Sequence, residues 1–115
     1  MAAYTYIDLS YLHEVLGDDE MIIQLTVQKF LDTTPPVLTE MEEKLQKGMY
    51  VEFGKLAHKL KSSAGFLGMT EAKELLLKME AMCLHNDNLQ KLPDVWKKTQ
   101  TVMASSMAEL RSISK

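Results

Sequence analysis

The stretch KLAHKLKSSAGFLGM, residues 55–69, decides how the chain folds. Laid out at about 100° per residue, Phe53, Leu56, Ala57, Leu60, Ala64 and Leu67 gather within about a third of the circumference, so the segment reads as an amphipathic helix with one core face. Gly54, His58, Lys61 and Gly65 share a different, narrow arc, with Ser62 at its edge and Lys55, Lys59 and Phe66 farther round. His58 therefore points away from the core. The glycines are the anomaly, because each costs a helix interior about 1 kcal/mol relative to alanine. They stand one turn before and two turns after His58 and remove side chains on its own face. Such a bare strip suits an exposed imidazole that must enter a cleft on another protein, and an ordinary surface histidine on a glycine-weakened helix fits the same spacing.

Outward from this helix, "GMY" at 48–50 precedes it, and Gly68, with Thr70 as the next cap, closes it. Upstream, Ile7, Leu9, Leu12, Val15 and Leu16 predict a short amphipathic helix capped by Asp8 and ended by Gly17. Asp18 and Asp19 open a longer helix, whose stripe runs Ile23, Val27, Phe30 and Leu31, then Leu38, Met41 and Leu45 beyond "TTPP". The stripe keeps its phase through Pro35 and Pro36, which fits either one kinked helix or a second helix capped by Thr34. Downstream, Ala72, Leu75, Leu76, Met79, Met82 and Cys83 share one face, and "HNDN" at 85–88 is a polar turn. Leu92, Trp96, Met103, Leu110 and Ile113 mark a last helix that carries Pro93 in its first turn.

Four long amphipathic segments on short polar turns must bury their stripes against one another, and short connections make neighbours antiparallel. The expected fold is all-α, an antiparallel up-and-down four-helix bundle with a short extra N-terminal helix, forming one domain over residues 1–115. The nine methionines read as core filler, since the thioether adapts to irregular gaps.

Composition narrows the function classes. The net charge of −3, with acids and bases interspersed, argues against nucleic acid or an anionic membrane as the principal partner. Cys83 is the lone cysteine and cannot form an internal disulfide. With no charged-then-apolar leader in MAAYTYIDLS and no membrane-length apolar run, the reducing cytoplasm is the expected compartment. There is no Walker-type glycine loop and no protein-kinase motif, so autophosphorylation from ATP is not expected. His13 is isolated, Cys83 and His85 are two apart and would not share a helix face, and no Glu-x-x-His pair is present. Neither a metal site nor a resident cofactor is expected.

The segment AHKLKSSAGFLG, residues 57–68, resembles the signature of the histidine-containing phosphotransfer domain, where a His-x-Leu-Lys core is followed by small residues. The helix order fits that family over nearly the whole chain. The resemblance implies that His58 is the phosphoryl acceptor, that Lys61 lies beside the phosphoryl group, and that Gly65 occupies a position kept small. Ser62 stands where the family often has glycine, and Phe66 where a polar residue is common. Phe66 reads equally as a docking aromatic or as a partly covered surface ring. In some members a glutamate or glutamine on the next helix hydrogen-bonds the histidine, and Glu80 looks like its counterpart, with an ordinary solvated glutamate as the alternative.

The implied partners are receiver domains of hybrid histidine kinases and response regulators. An unprotonated imidazole would attack the receiver's aspartyl phosphate, with Mg²⁺ supplied by the receiver. Gly54, Lys55, Lys59, Ser62, Gly65 and Phe66 would then form the docking face. The expected function is that of a monomeric phosphorelay intermediate without autokinase activity, passing the group to another receiver. A helical module that binds receivers without carrying phosphate is the alternative. Met1 and the short length point to a free-standing carrier.

Overall fold

A computed structural model describes residues 4–114. Helix α1 spans Ser10–Leu16, α2 Glu20–Gln46, α3 Tyr50–Phe66, α4 Thr70–His85 and α5 Leu92–Ile113, with a single 3₁₀ turn at Leu89–Lys91 before the last. Helices α2 to α5 form the antiparallel four-helix bundle, each packed on its chain neighbours and α5 closing back onto α2. The short α1 lies outside the bundle against α2. The resulting rod measures 43 × 21 × 21 Å, and no helix among the described residues is long and apolar enough to cross a membrane.

The segment TTPP lies inside one continuous helix rather than between two. Pro35 and Pro36 bring no N–H, so the carbonyls of Leu31 and Asp32 lose their helical donors, and a helix-interior proline costs about 3 kcal/mol. Burial on both sides offsets this. Ile23, Val27, Phe30, Leu31, Thr34 and Met41 are all buried along one stripe, so α2 contributes to the core on both sides of the prolines. At the N-terminus of α2 the Asp19 carboxylate accepts from the N–H groups of Met21 and Ile22, as a cap should.

The remaining ends show where sequence reading was corrected. The short helix starts at Ser10, one residue later than a cap at Asp8 would place it, and Asp8 accepts from the Ser10 N–H at 2.9 Å in a local turn instead of capping a deeper position. Val15, read as part of the apolar stripe, is half exposed, whereas Leu12 is fully buried. Thr70 is the first residue of α4 and not its cap; Met69 precedes it with no side-chain cap. Helices α2 and α3 both close through paired backbone bonds around a left-handed glycine. In the second closure the Gly68 N–H donates to Gly65 O at 3.1 Å and the Met69 N–H to Ala64 O at 2.9 Å.

Phe53 of α3 meets Trp96 of α5 edge to face with centroids 5.4 Å apart, joining diagonal helices through the centre. Met41, Met69, Met79, Met82, Met103 and Met107 are buried in the core, in keeping with a filling role, while Met21 is exposed and Met1 lies outside the described residues. Two buried polar groups on α5 went unread in the sequence. Thr99 and Ser106 turn their hydroxyls back to the carbonyls of Val95 and Val102, each at 2.8 Å, and so bury without an unpaired donor.

Candidate functional site

The site is built where α3 and α4 run antiparallel, the closest helix pairing in the bundle. That closeness has a local cause. Gly54 is buried, and a Cβ built on it would stand 3.0 Å from the Cβ of Cys83 on α4. This corrects the reading of Gly54 as part of an open strip: its missing side chain is space taken by the neighbouring helix. Gly54→Ala should therefore push α3 and α4 apart. Overpacking costs about 1–3 kcal/mol against about 1 kcal/mol of helix propensity gained, so denaturant melts should show a net loss of about 1 kcal/mol. No loss, or a gain, would mean that the interface gives way freely.

One turn after Gly54, the His58 side chain is 62% exposed, yet its Nδ1 hydrogen-bonds Glu80 Oε2 across the helix pair. The other carboxylate oxygen, Oε1, accepts from Lys61 Nζ at 3.0 Å. Lys61 and Glu80 are themselves mostly covered, at 21% and 23% exposure. Burial pushes the Glu80 carboxyl up, but the hydrogen bonds and charges of Lys61 and His58 outweigh it and hold the carboxyl below its usual value of 4.5. Glu80 is thus ionised at neutral pH. Since a carboxylate can only accept, Nδ1 carries the proton, and a neutral imidazole then has its lone pair on Nε2. Because the folded value is depressed, the stabilisation from both contacts is present above pH 4.5 and is lost as acid protonates Glu80 below it.

The other residues named from the sequence fall as follows. Lys55, Lys59 and Ser62 are exposed on α3. Gly65 is partly covered, and the stem of Lys73 from α4 lies over it. Phe66 is also partly covered, its ring edge-on to Tyr11 of α1 with centroids 5.8 Å apart. Beside His58, a hollow of about 290 Å³ is lined by Val51, Gly54, Cys83 and Leu84 together with the histidine and Glu80. Burial raises the Cys83 thiol, which keeps it protonated. His13 pairs with Asp18 at 3.2 Å far along the chain, and among the described residues no three acids, histidines or cysteines converge as metal ligands.

Sequence reasoning missed Tyr11, Lys73 and Cys83. Each comes from an element other than α3, so its place at the site depends on how helices dock and leaves no periodic signal within one segment.

A family model for the Hpt domain matches residues 26–113, from the second turn of α2 to the end of α5. The chain belongs to the Hpt domain family. Hpt domains are phosphocarrier modules of two-component signalling that work with receiver domains of response regulators and kinases. The match leaves out α1, which in this Hpt domain supplies Tyr11 to the edge of the His58 helix. Comparison with curated proteins and with solved structures returns no match.

Proposed function

We propose that this Hpt domain is a phosphorelay intermediate whose acceptor atom is Nε2 of His58. The observation that carries the reading is the pairing of Glu80 with Nδ1, which directs the lone pair of an exposed imidazole outward. The Nε2 lone pair attacks the phosphorus of a receiver's aspartyl phosphate; the new N–P bond forms as the P–O bond to the aspartate breaks, and the aspartate leaves as a carboxylate. Mg²⁺ brought by the receiver would supply charge compensation for the phosphoryl oxygens, and among the described residues of this chain no cluster is present to hold it. The ring is then substituted at Nε2 and protonated at Nδ1, hence cationic. The Glu80 carboxylate stabilises that charge without moving its proton. Attack on the phosphohistidine by a second receiver's aspartate reverses each bond change and returns the neutral ring.

Lys61 is secured by Glu80 in the resting state, one turn along the same face from His58. When the ring becomes cationic and draws the carboxylate, the ammonium is within reach of the incoming phosphoryl oxygens. Incubation with receivers of the same organism, phosphorylated by acetyl phosphate, tests the proposal. Label should pass to the protein in an acid-labile, alkali-stable form and onward to a fresh receiver, while ATP alone should leave none. Absence of label from every receiver would contradict it.

Glu80 gives a sharper test of the geometry. Glu80→Gln keeps an oxygen that can accept from Nδ1–H, so transfer should fall only about twofold. Glu80→Ala removes both the orienting bond and the compensating charge, and the rate should fall about tenfold or more. Nitrogen chemical shifts of His58 should report a mixed tautomer in the alanine variant. Equal rates for both variants would show that the contact has no part in transfer.

A further inference from the structure

Gly65 lies two turns beyond His58, and part of the space its missing side chain leaves is taken by a side chain of α4. A Cβ built there would be 3.3 Å from Cδ, 3.6 Å from Cε and 3.7 Å from Nζ of Lys73. The lysine stem from α4 thus crosses the bare backbone of α3 and sets its ammonium down on the His58 helix. Among the described residues this ammonium has no acidic partner, in contrast to Lys61, which is tied to Glu80. Lys73, Lys61, Ser62 and Gly65 line one open hollow, walled on the far side by the Tyr11–Phe66 pair.

We propose that Lys73 is a second cationic contact for the receiver, pairing with a carboxylate at the rim of the partner's phosphoacceptor cleft and setting how tightly the partner docks. This rests on the phosphocarrier reading of His58. The chemistry of the donor supplies the complement: an aspartyl phosphate, and the acidic groups that must hold its divalent cation, make a negative cleft. A lysine whose stem already lies against protein gives up less freedom on pairing than one that waves in solvent. An unpaired, exposed ammonium also acts on an approaching anion over roughly a Debye length, about 8 Å at physiological salt. Because Lys73 stands two turns from the imidazole, it meets the partner's rim and not the transferring phosphoryl group. Its effect belongs in association and not in the bond-breaking step. Gly65 is then the seat of Lys73, which replaces the view that it bares the helix for a partner's backbone.

The test uses the full chain and receivers phosphorylated by acetyl phosphate, with initial transfer rates followed as receiver concentration is raised. Lys73→Glu should raise the half-saturating concentration about tenfold at low salt, leave the saturating rate within about twofold, and lose much of this difference at high salt. Lys97→Glu, an equal charge change on the exposed side of α5, should change neither quantity. Gly65→Gln should weaken docking in the same way by displacing the stem, and should add little to Lys73→Glu when the two are combined. Half-saturation unchanged by Lys73→Glu, or equally changed by Lys97→Glu, would overturn the proposal. So would a fall in the saturating rate alone. If wild-type protein takes no label, the phosphocarrier reading fails; calorimetry with unphosphorylated receiver then decides Lys73 separately, since weaker binding of Lys73→Glu supports the contact and equal or absent binding removes it.

Discussion

His58→Gln should take up no label from any phosphorylated receiver, a loss on the order of a thousandfold or more, because the variant has no nucleophilic nitrogen to replace Nε2. The fold should hardly notice. The His58 side chain is 62% exposed, and its one polar contact among the described residues is Glu80, which keeps Lys61 when the imidazole is gone. Surface substitutions of this kind change stability by about 0.5 kcal/mol or less. Circular dichroism and melting should therefore match the parent while transfer is abolished. His13→Gln and His85→Gln should label normally, since neither stands on α3 beside Lys61: His13 lies on α1, outside the residues the family model matches, and His85 lies in the last turn of α4. Label persisting in His58→Gln would move the acceptor elsewhere.

The largest effect on folding is expected at Gly68, which closes α3 with φ of +66°. The N-terminal segment crosses directly over it. A Cβ at this position would stand 1.8 Å from the carbonyl oxygen of Asp8, far inside contact, and the obstacle is backbone that cannot rotate away. Gly68→Ala must therefore detach the segment. That breaks the bond from the Asp8 N–H to Leu67 O and exposes Ile7, now 5% exposed. Left-handed strain of about 1–2 kcal/mol plus about 1.5–3 kcal/mol for the isoleucine leads to an expected loss of about 3 kcal/mol, or more than about 10 °C in Tm. Gly48→Ala makes the comparison clean, because Gly48 has φ of +67° with nothing within 4 Å of its Cβ position. It should suffer the strain alone. Equal losses for the two variants would show that the crossing segment contributes nothing.

The four long helices were legible because their stripes repeat at helical spacing: of the core face assigned to α3, Phe53, Ala57, Leu60, Ala64 and, just past its end, Leu67 are buried and Leu56 is partly buried, while Gly54, assigned to the other face, is buried as well. Continuity through Pro35 and Pro36 was not legible. Both outcomes kept the stripe in phase, and only packing of both halves against the same neighbours separates them. On α5, a polar letter at Thr99 or Ser106 conceals a buried residue, since back-bonding to the helix's own carbonyls leaves no trace in composition. The face shared by His58 and Lys61 could be read from one segment, whereas the space around the glycines could not. Gly54 and Gly65 look alike in sequence, yet one admits Cys83 and the other carries Lys73, a distinction made entirely by how α4 lies on α3.

In the proposed transfer, Glu80 holds Nδ1 and leaves Nε2 of His58 to receive the phosphoryl group. Nitrogen-15 and phosphorus-31 NMR of the labelled phosphoprotein reads the attachment atom itself. Phosphorus should couple to Nε2 of His58, with Nδ1 protonated and its proton shift displaced by the Glu80 hydrogen bond. Phosphorus coupled to Nδ1, or to a nitrogen of any other residue, would contradict it.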